Sequence, residues 1–223
     1  MYAILTKMGK MKNVPVFAVD FEGSSKIGIV EYGVAELADG GIASAATRIC
    51  APKRKIPRRD ADFFGISNED AEKRAPFSDD LPLFCRMRAR GVFMAHNASV
   101  EDSLLRAALP SPGMVPDFAR GGRTPEWAPW LDTCAIARAL FPEIGGAKLS
   151  DCVRAFGLQE RLDEAAEKFC PPGRRKWHSA LYDAIACALL LARFLEFDGM
   201  ENAGIPWLAK CSGVSEAGQD RLF

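Results

Sequence analysis

Three groups of residues carry types and spacings that could do chemistry. Asp20 and Glu22 stand two apart in the apolar run VPVFAVDFE. Side chains alternate along a strand, so both carboxylates project from one face. Two acids on one face of an apolar strand repel each other and lose hydration. A divalent cation relieves both penalties; a strand end open to water is the plainer alternative. The second group is MAHNASVED, residues 94–102, where a short apolar strand runs into a helix. Glu101 and Asp102 fall in the first helical turn, where the backbone dipole favours anions, so simple capping acidity also accounts for them. Successive helical residues diverge by about 100°, so only one of this pair can face the strand acids. The third group is HSALYD, with His178 and Asp183 at the start of a long apolar stretch. The chain holds only two histidines, His96 and His178, and both fall inside these groups.

The elements that must position these groups are legible in outline. Residues 14–21 are β-branched and aromatic without helical period, as in a buried central strand. Residues 27–37 and 42–50 read as two more strands, separated by the turn signal ADGG. Such short links predict an antiparallel meander. Residues 51–60 read as a basic, proline-containing loop. A short helix is expected over 67–73, a longer one over 77–90, a strand over 91–97 and a helix over 98–109. Residues 110–129 hold five prolines, three glycines and Trp127, which predicts a long irregular segment. A strand end at 130–133 leads into a helix, and helices are expected over 148–157 and 159–169. The stretch 177–197 predicts the core helix. A meander followed by strand–helix alternation implies a mixed α/β sheet with helices on both faces. The domain is expected over 14–197, with a disordered or dispensable segment at 1–13 and an appendage at 198–223.

Composition narrows the function classes. With 223 residues, 48% of them hydrophobic, the chain can build one domain with a substantial core. Lys plus Arg and Asp plus Glu are each 29, so bulk charge gives no argument for a polyanion partner and leaves local basic rims open. None of the seven cysteines forms a C-x-x-C pair, which argues against a zinc site. They read as reduced thiols packed as small apolar residues, implying a cytoplasmic protein. No apolar run reaches the ~18 residues of a membrane span, so no membrane partner is expected.

Taken in order, D-x-E on a strand, H-N-A followed by an acid, and H-x4-D opening a helix resemble the DEDDh (DnaQ-like) exonucleases. That family includes ribonuclease T and the proofreading subunit of bacterial DNA polymerase III. IVEYGVAEL, FGIS followed by AEKRAPF, LDTCAIARALFP and GGAKLSDCVRAFGL extend the resemblance over roughly residues 14–195.

The resemblance implies a ribonuclease H-like mixed sheet, a three-strand antiparallel meander plus parallel strands. It also implies a two-metal-ion 3′→5′ exonuclease. Asp20, Glu22, Glu101 and Asp183 would hold two Mg²⁺ or Mn²⁺ ions, with Asp20 bridging and His178 as general base. Single-stranded DNA or RNA 3′ ends would be cut to 5′-mononucleotides. Relatives are often dimers, so a homodimer is an expectation.

Two positions depart from the family pattern. The family carries Asp five residues after the histidine of the second motif, where this chain has Glu101; Asp102 follows and is the alternative ligand. Phe64 stands where the family often has His. The first change raises an alternative function, a catalytically weakened nucleic-acid-binding module on the exonuclease fold. By the same resemblance Ile66 would stack on the terminal base, with Phe64 adding a ring, and His96 and Asn97 would contact substrate. Arg174, Arg175 and Trp177, next to His178, would meet the nucleic-acid backbone. Arg120, Arg123, Trp127 and Trp130 are candidates for a lid over the 3′ end or for packing on the core. Asp132, in its D-T context, reads as a helix cap.

Overall fold

The structure, a computed structural model, describes residues 14–144, 148–200 and 203–213. The expected segment at 1–13 lies outside the described residues. At the centre is strand β1 (Val16–Ser24), flanked by antiparallel β2 (Gly28–Ala38), which pairs with antiparallel β3 (Gly41–Ile49). On its other side β1 pairs in parallel with β4 (Val92–Ala95), and β4 in parallel with β7 (Trp130–Asp132). The sheet order is β3-β2-β1-β4-β7, the expected meander plus parallel strands.

Both faces of this sheet are covered, and the alternation of β1 shows how. Phe17, Val19 and Phe21 face an aromatic cluster with Phe77, Phe84, Phe93 and Trp127, to which helix α3 (Leu81–Arg90) gives Phe84 and helix α4 (Ala98–Ala108) adds Leu104 and Leu105. Val16 and Ala18 face the other way, onto α8 (Ala180–Leu195). Helix α8 has thirteen of its sixteen residues buried. A helix apolar on all sides must lie inside, and α6 (Leu149–Ala155) and α7 (Gln159–Phe169) cover it. Continuing the alternation, Asp20 and Glu22 belong to the α8 face, at the C-terminal end of β1.

Three expectations are corrected in detail, and one choice between alternatives is decided. The basic loop at 51–60 gives way to α1 (Arg58–Phe64), which starts directly after Pro57, and α2 (Asn68–Ala71) follows under a Ser67–Asp70 capping box. The core helix starts at Ala180 rather than 177, leaving His178 in the loop before it. The segment 110–129, crossed by short strands β5 (Val115–Pro116) and β6 (Arg123–Thr124), follows the alternative of packing on the core, with Trp127 and Trp130 buried. Arg88, fully buried, donates to the carbonyls of Pro116, Trp127 and Ala128, and Trp127 is itself 0% exposed. The described part of the expected C-terminal appendage belongs to the core. Helix α9 (Ile205–Cys211) buries Ile205, Leu208 and Ala209 beside α5 (Thr133–Leu140), and the Asp132 N–H donates to the Ser212 hydroxyl.

Candidate active site

Register brings two sequence motifs face to face. Asp20 pairs with Gly33 and Glu22 with Glu31, so D-x-E on β1 lies opposite E-x-G on β2. Both members of the second motif seat the start of α8. A Cβ on Gly33 would lie 2.2 Å from Ala180 C and Leu181 N, so glycine alone permits this approach of helix backbone to sheet. Glu31, 2% exposed, accepts from the Ala180 N–H at 2.9 Å. The α8 start is thereby pressed against β2 beside Glu22, which delivers Asp183 to the strand acids.

Helix α4 delivers the fourth acid. Strand β4 stops at Ala95, and the Phe21 N–H further along β1 donates instead to Glu101 Oε2 at 3.0 Å. Glu101 is 6% exposed. Asp102 turns away: it accepts from Trp130 Nε1 at 2.9 Å and from Arg106 Nε at 2.7 Å. The corner that aims α4 is held by the D-T pair. Asp132 accepts from the N–H groups of Asn97 and Ala98 and also caps α5 through Cys134 and Ala135. His96 Nδ1 lies 2.9 Å from the Thr133 hydroxyl. Asn97 takes a left-handed backbone (φ 73°) and is exposed.

The result is a nest of carboxyls. Glu22, His178 and Asp183 each offer one donor atom, all within 4.8 Å of one another. Asp183 Oδ2 accepts from the His178 N–H at 3.1 Å, whereas its Oδ1 is buried with no hydrogen-bond partner. Burial, then the charges of Glu101, Asp183, Glu22 and Glu31, hold the Asp20 carboxyl well above its usual range. Burial first, with Asp183 and Glu31 next, pushes Glu22 up to about 8. Burial likewise raises Glu101 to about 8 against the Phe21 hydrogen bond, and Asp183 to about 7 against the His178 one. Burial and mutual repulsion that raise four carboxyls together are penalties a bound cation would relieve. A hard-oxygen set with an orphaned buried oxygen fits a divalent cation such as Mg²⁺ or Mn²⁺. His178 is exposed, with φ 63°, and its pKa is lowered by burial and by Lys148.

The remaining sequence candidates are placed unevenly. Ile66 is 1% exposed and Phe64 7%, both inside a cluster with Ile27, Val30 and Ile56, so neither offers a face to a base. The exposed ring is Phe63, 55% accessible, its centroid 4.0 Å from that of His178. Sequence reasoning missed it because α1 was not recognised, and helical phase is what turns Phe63 out and Phe64 in. Arg174 is committed to Glu31 and to the carbonyls of Phe64, Gly65 and His178. Arg175 is exposed and donates to the Glu167 carbonyl at 3.0 Å. Trp177 is half-buried, edge-on to Tyr182. A separate cavity of about 180 Å³ is lined by Ser24, Gly28, Lys53, Phe77 and Leu104 among others; none of the clustered acids lines it.

A mixed five-stranded sheet with acids gathered where α4 and α8 meet the end of its central strand defines a ribonuclease H-like nuclease architecture. Known proteins agree. The family model for exonucleases of the ribonuclease T type matches residues 25–191. PolC-type DNA polymerase III of Thermotoga petrophila is 27% identical over 188 residues, 84% of this chain and 12% of that protein. The Thermotoga maritima enzyme matches to the same extent. The chain thus spans about one eighth of the length of these curated relatives. Among solved structures, exonuclease X in complex with 5′ overhanging duplex DNA superposes with a TM-score of 0.65 at 21% identity, covering 90% of this chain and 99% of that one. The nuclease domain of 3′hExo, a DEDDh family member bound to rAMP, gives 0.63 at 14%, covering 86% and 96%. The chain belongs to the DnaQ-like DEDDh exonuclease family, of the ribonuclease T type. Exonucleases of this kind use divalent metal ions. The family match begins after Asp20 and Glu22, so for these two residues the geometry carries the argument. Among the described residues no helix is long and apolar enough to cross a membrane.

Proposed function

We propose that this chain removes 5′-mononucleotides from the 3′ ends of single-stranded DNA or RNA. Asp20, Glu22, Glu101 and Asp183 would hold two Mg²⁺ or Mn²⁺ ions. The observation that carries the reading is the placement of Glu101 with the strand acids. When bound, two such ions stabilise charge on the attacking and leaving oxygens of an in-line displacement. His178 accepts a proton from the attacking water; burial and Lys148 lower its pKa, which favours the neutral imidazole that a base needs. The water oxygen bonds to phosphorus, the bond from phosphorus to the 3′ oxygen of the preceding nucleotide breaks, and that oxygen takes a proton from solvent. Phe63, exposed beside His178, supplies the aromatic face for the terminal base in place of Ile66 and Phe64.

The weakened binding module drew its support from Glu101 standing where the family has Asp. Glu101, buried beside the strand acids, supports the active reading over that module. The test uses 5′-labelled DNA and RNA oligonucleotides, single-stranded and with a recessed 3′ end, in Mg²⁺ or Mn²⁺. A ladder shortening from the 3′ end is expected for wild type and none for Asp20→Ala. No cleavage of any substrate above the Asp20→Ala level refutes the proposal.

A further inference from the structure

Arg174 was expected at the substrate backbone, and the structure puts it to a different use. Its side chain is 14% exposed against 3% for that of Glu31. Nε donates to Glu31 Oε1 at 3.0 Å and Nη2 to Glu31 Oε2, a bidentate pair. The same guanidinium donates through Nη1 to the Phe64 carbonyl at 2.7 Å and the Gly65 carbonyl at 3.3 Å. Nη2 also reaches the His178 carbonyl at 3.5 Å. Glu31 in turn holds the Ala180 N–H. One largely buried ion pair therefore ties together strand β2, the end of α1 that carries Phe63, and the backbone at and just after His178. His178 itself sits at φ 63°, a conformation costly for a non-glycine residue and maintained only when its surroundings over-determine it.

We infer that the Glu31–Arg174 pair is a positioning clamp for His178, fixing its backbone and the Phe63 ring that lies against its imidazole. The inference rests on the reading of His178 as general base, and it concerns residues that touch no substrate. Arginine is required because a lysine ammonium lacks the planar fork that reaches a carboxylate and three carbonyl groups at once. Loss of the clamp lets the imidazole drift. A misplacement of about 1 Å at a reacting group lowers turnover by roughly 100-fold.

The chain has only two histidines, so His178 can be read directly by NMR against His96 as internal reference. In wild type the Phe63 ring current shifts the His178 imidazole protons upfield, and Phe63→Leu abolishes that shift. Glu31→Gln, Arg174→Met and Arg174→Lys are each expected to abolish most of it while leaving His96 unmoved. The Glu31→Gln/Arg174→Met double variant should go no further than either single one. Retention of the wild-type His178 shift in Arg174→Met or in near-isosteric Glu31→Gln overturns the clamp. Glu31→Gln keeps the test decisive should Arg174→Met fail to fold.

Kinetics form the second arm. With a DNA oligonucleotide and with the p-nitrophenyl ester of thymidine 5′-monophosphate, which has no flanking backbone, kcat should fall about 10- to 100-fold in all three single variants. KM and its salt dependence should stay within about 3-fold, because no phosphate contact is lost. A raised KM confined to the oligonucleotide, or wild-type kinetics in Arg174→Lys, would make Arg174 a phosphate contact and overturn the proposal. Should wild type cleave nothing above Asp20→Ala, the functional reading falls, and the NMR arm still decides the clamp.

Discussion

Replacing Glu101 by Gln should stabilise the metal-free protein at neutral pH, although it removes a proposed ligand. Glu101 is held at about 8 by burial and by Glu22 and Asp183, against an ordinary 4.5. A carboxyl with a raised folded-state pKa gives its full contribution to stability below pH 4.5, where it is protonated folded and unfolded. That contribution is lost as pH rises toward 8, because the unfolded chain releases the proton first. At pH 7 the loss for an isolated group would be ~3 kcal/mol. The neighbouring acids share protons with Glu101, so about 1–3 kcal/mol is recoverable by making it neutral. Gln Oε1 keeps an acceptor for the Phe21 N–H, so no hydrogen bond need be lost. For a chain of this size the gain corresponds to roughly 2–10 °C in Tm. Thermal unfolding in chelator at pH 5, 7 and 8.5 reads it. The gain should be small at pH 5 and grow toward pH 8.5. Asp102→Asn should instead be neutral or destabilising by about 0–1 kcal/mol over pH 6–8.5, since it weakens the contact to Arg106. With millimolar Mn²⁺ the order should invert, because wild type gains binding free energy that Glu101→Gln loses. Destabilisation of metal-free Glu101→Gln at pH 7–8.5, or the expected gain appearing in Asp102→Asn, would refute the assignment.

Other consequences are as direct. Gly33→Ala puts a methyl group 2.2 Å from the α8 backbone and should cost about 3 kcal/mol or more, seen as a lower urea midpoint. Arg88→Met strips three carbonyls of their donor and should cost roughly 3 kcal/mol or more, while turnover per folded molecule stays within about 3-fold. His178→Ala, at an exposed loop position, should change stability by no more than about 0.5 kcal/mol. It should lower kcat about 10²- to 10⁴-fold, and an equal rate in wild type and variant would remove His178 from the chemistry.

The sequence by itself determined the frame. Period-2 alternation put Asp20 and Glu22 on one face, the length of the apolar stretch made α8 the core helix, and short links made the meander. Each of these is a local pattern repeated often enough to be read without knowing what lies opposite. The site needed more. Adjacent acids on one helix differ by only 100° of phase, so choosing Glu101 over Asp102 depended on where α4 starts and on which neighbours Trp130 and Arg106 claim. Phe63 and Phe64 are likewise adjacent, and only the phase of α1 decides which ring is exposed. Arg174 sits in a basic run beside His178 that reads as a contact to the nucleic-acid backbone. Its burial follows from Glu31, 143 residues away in sequence, a partner that no window of sequence contains. The tertiary structure decided these points because each depends on contacts between distant segments, whereas alternation and apolar length are properties of the segment itself.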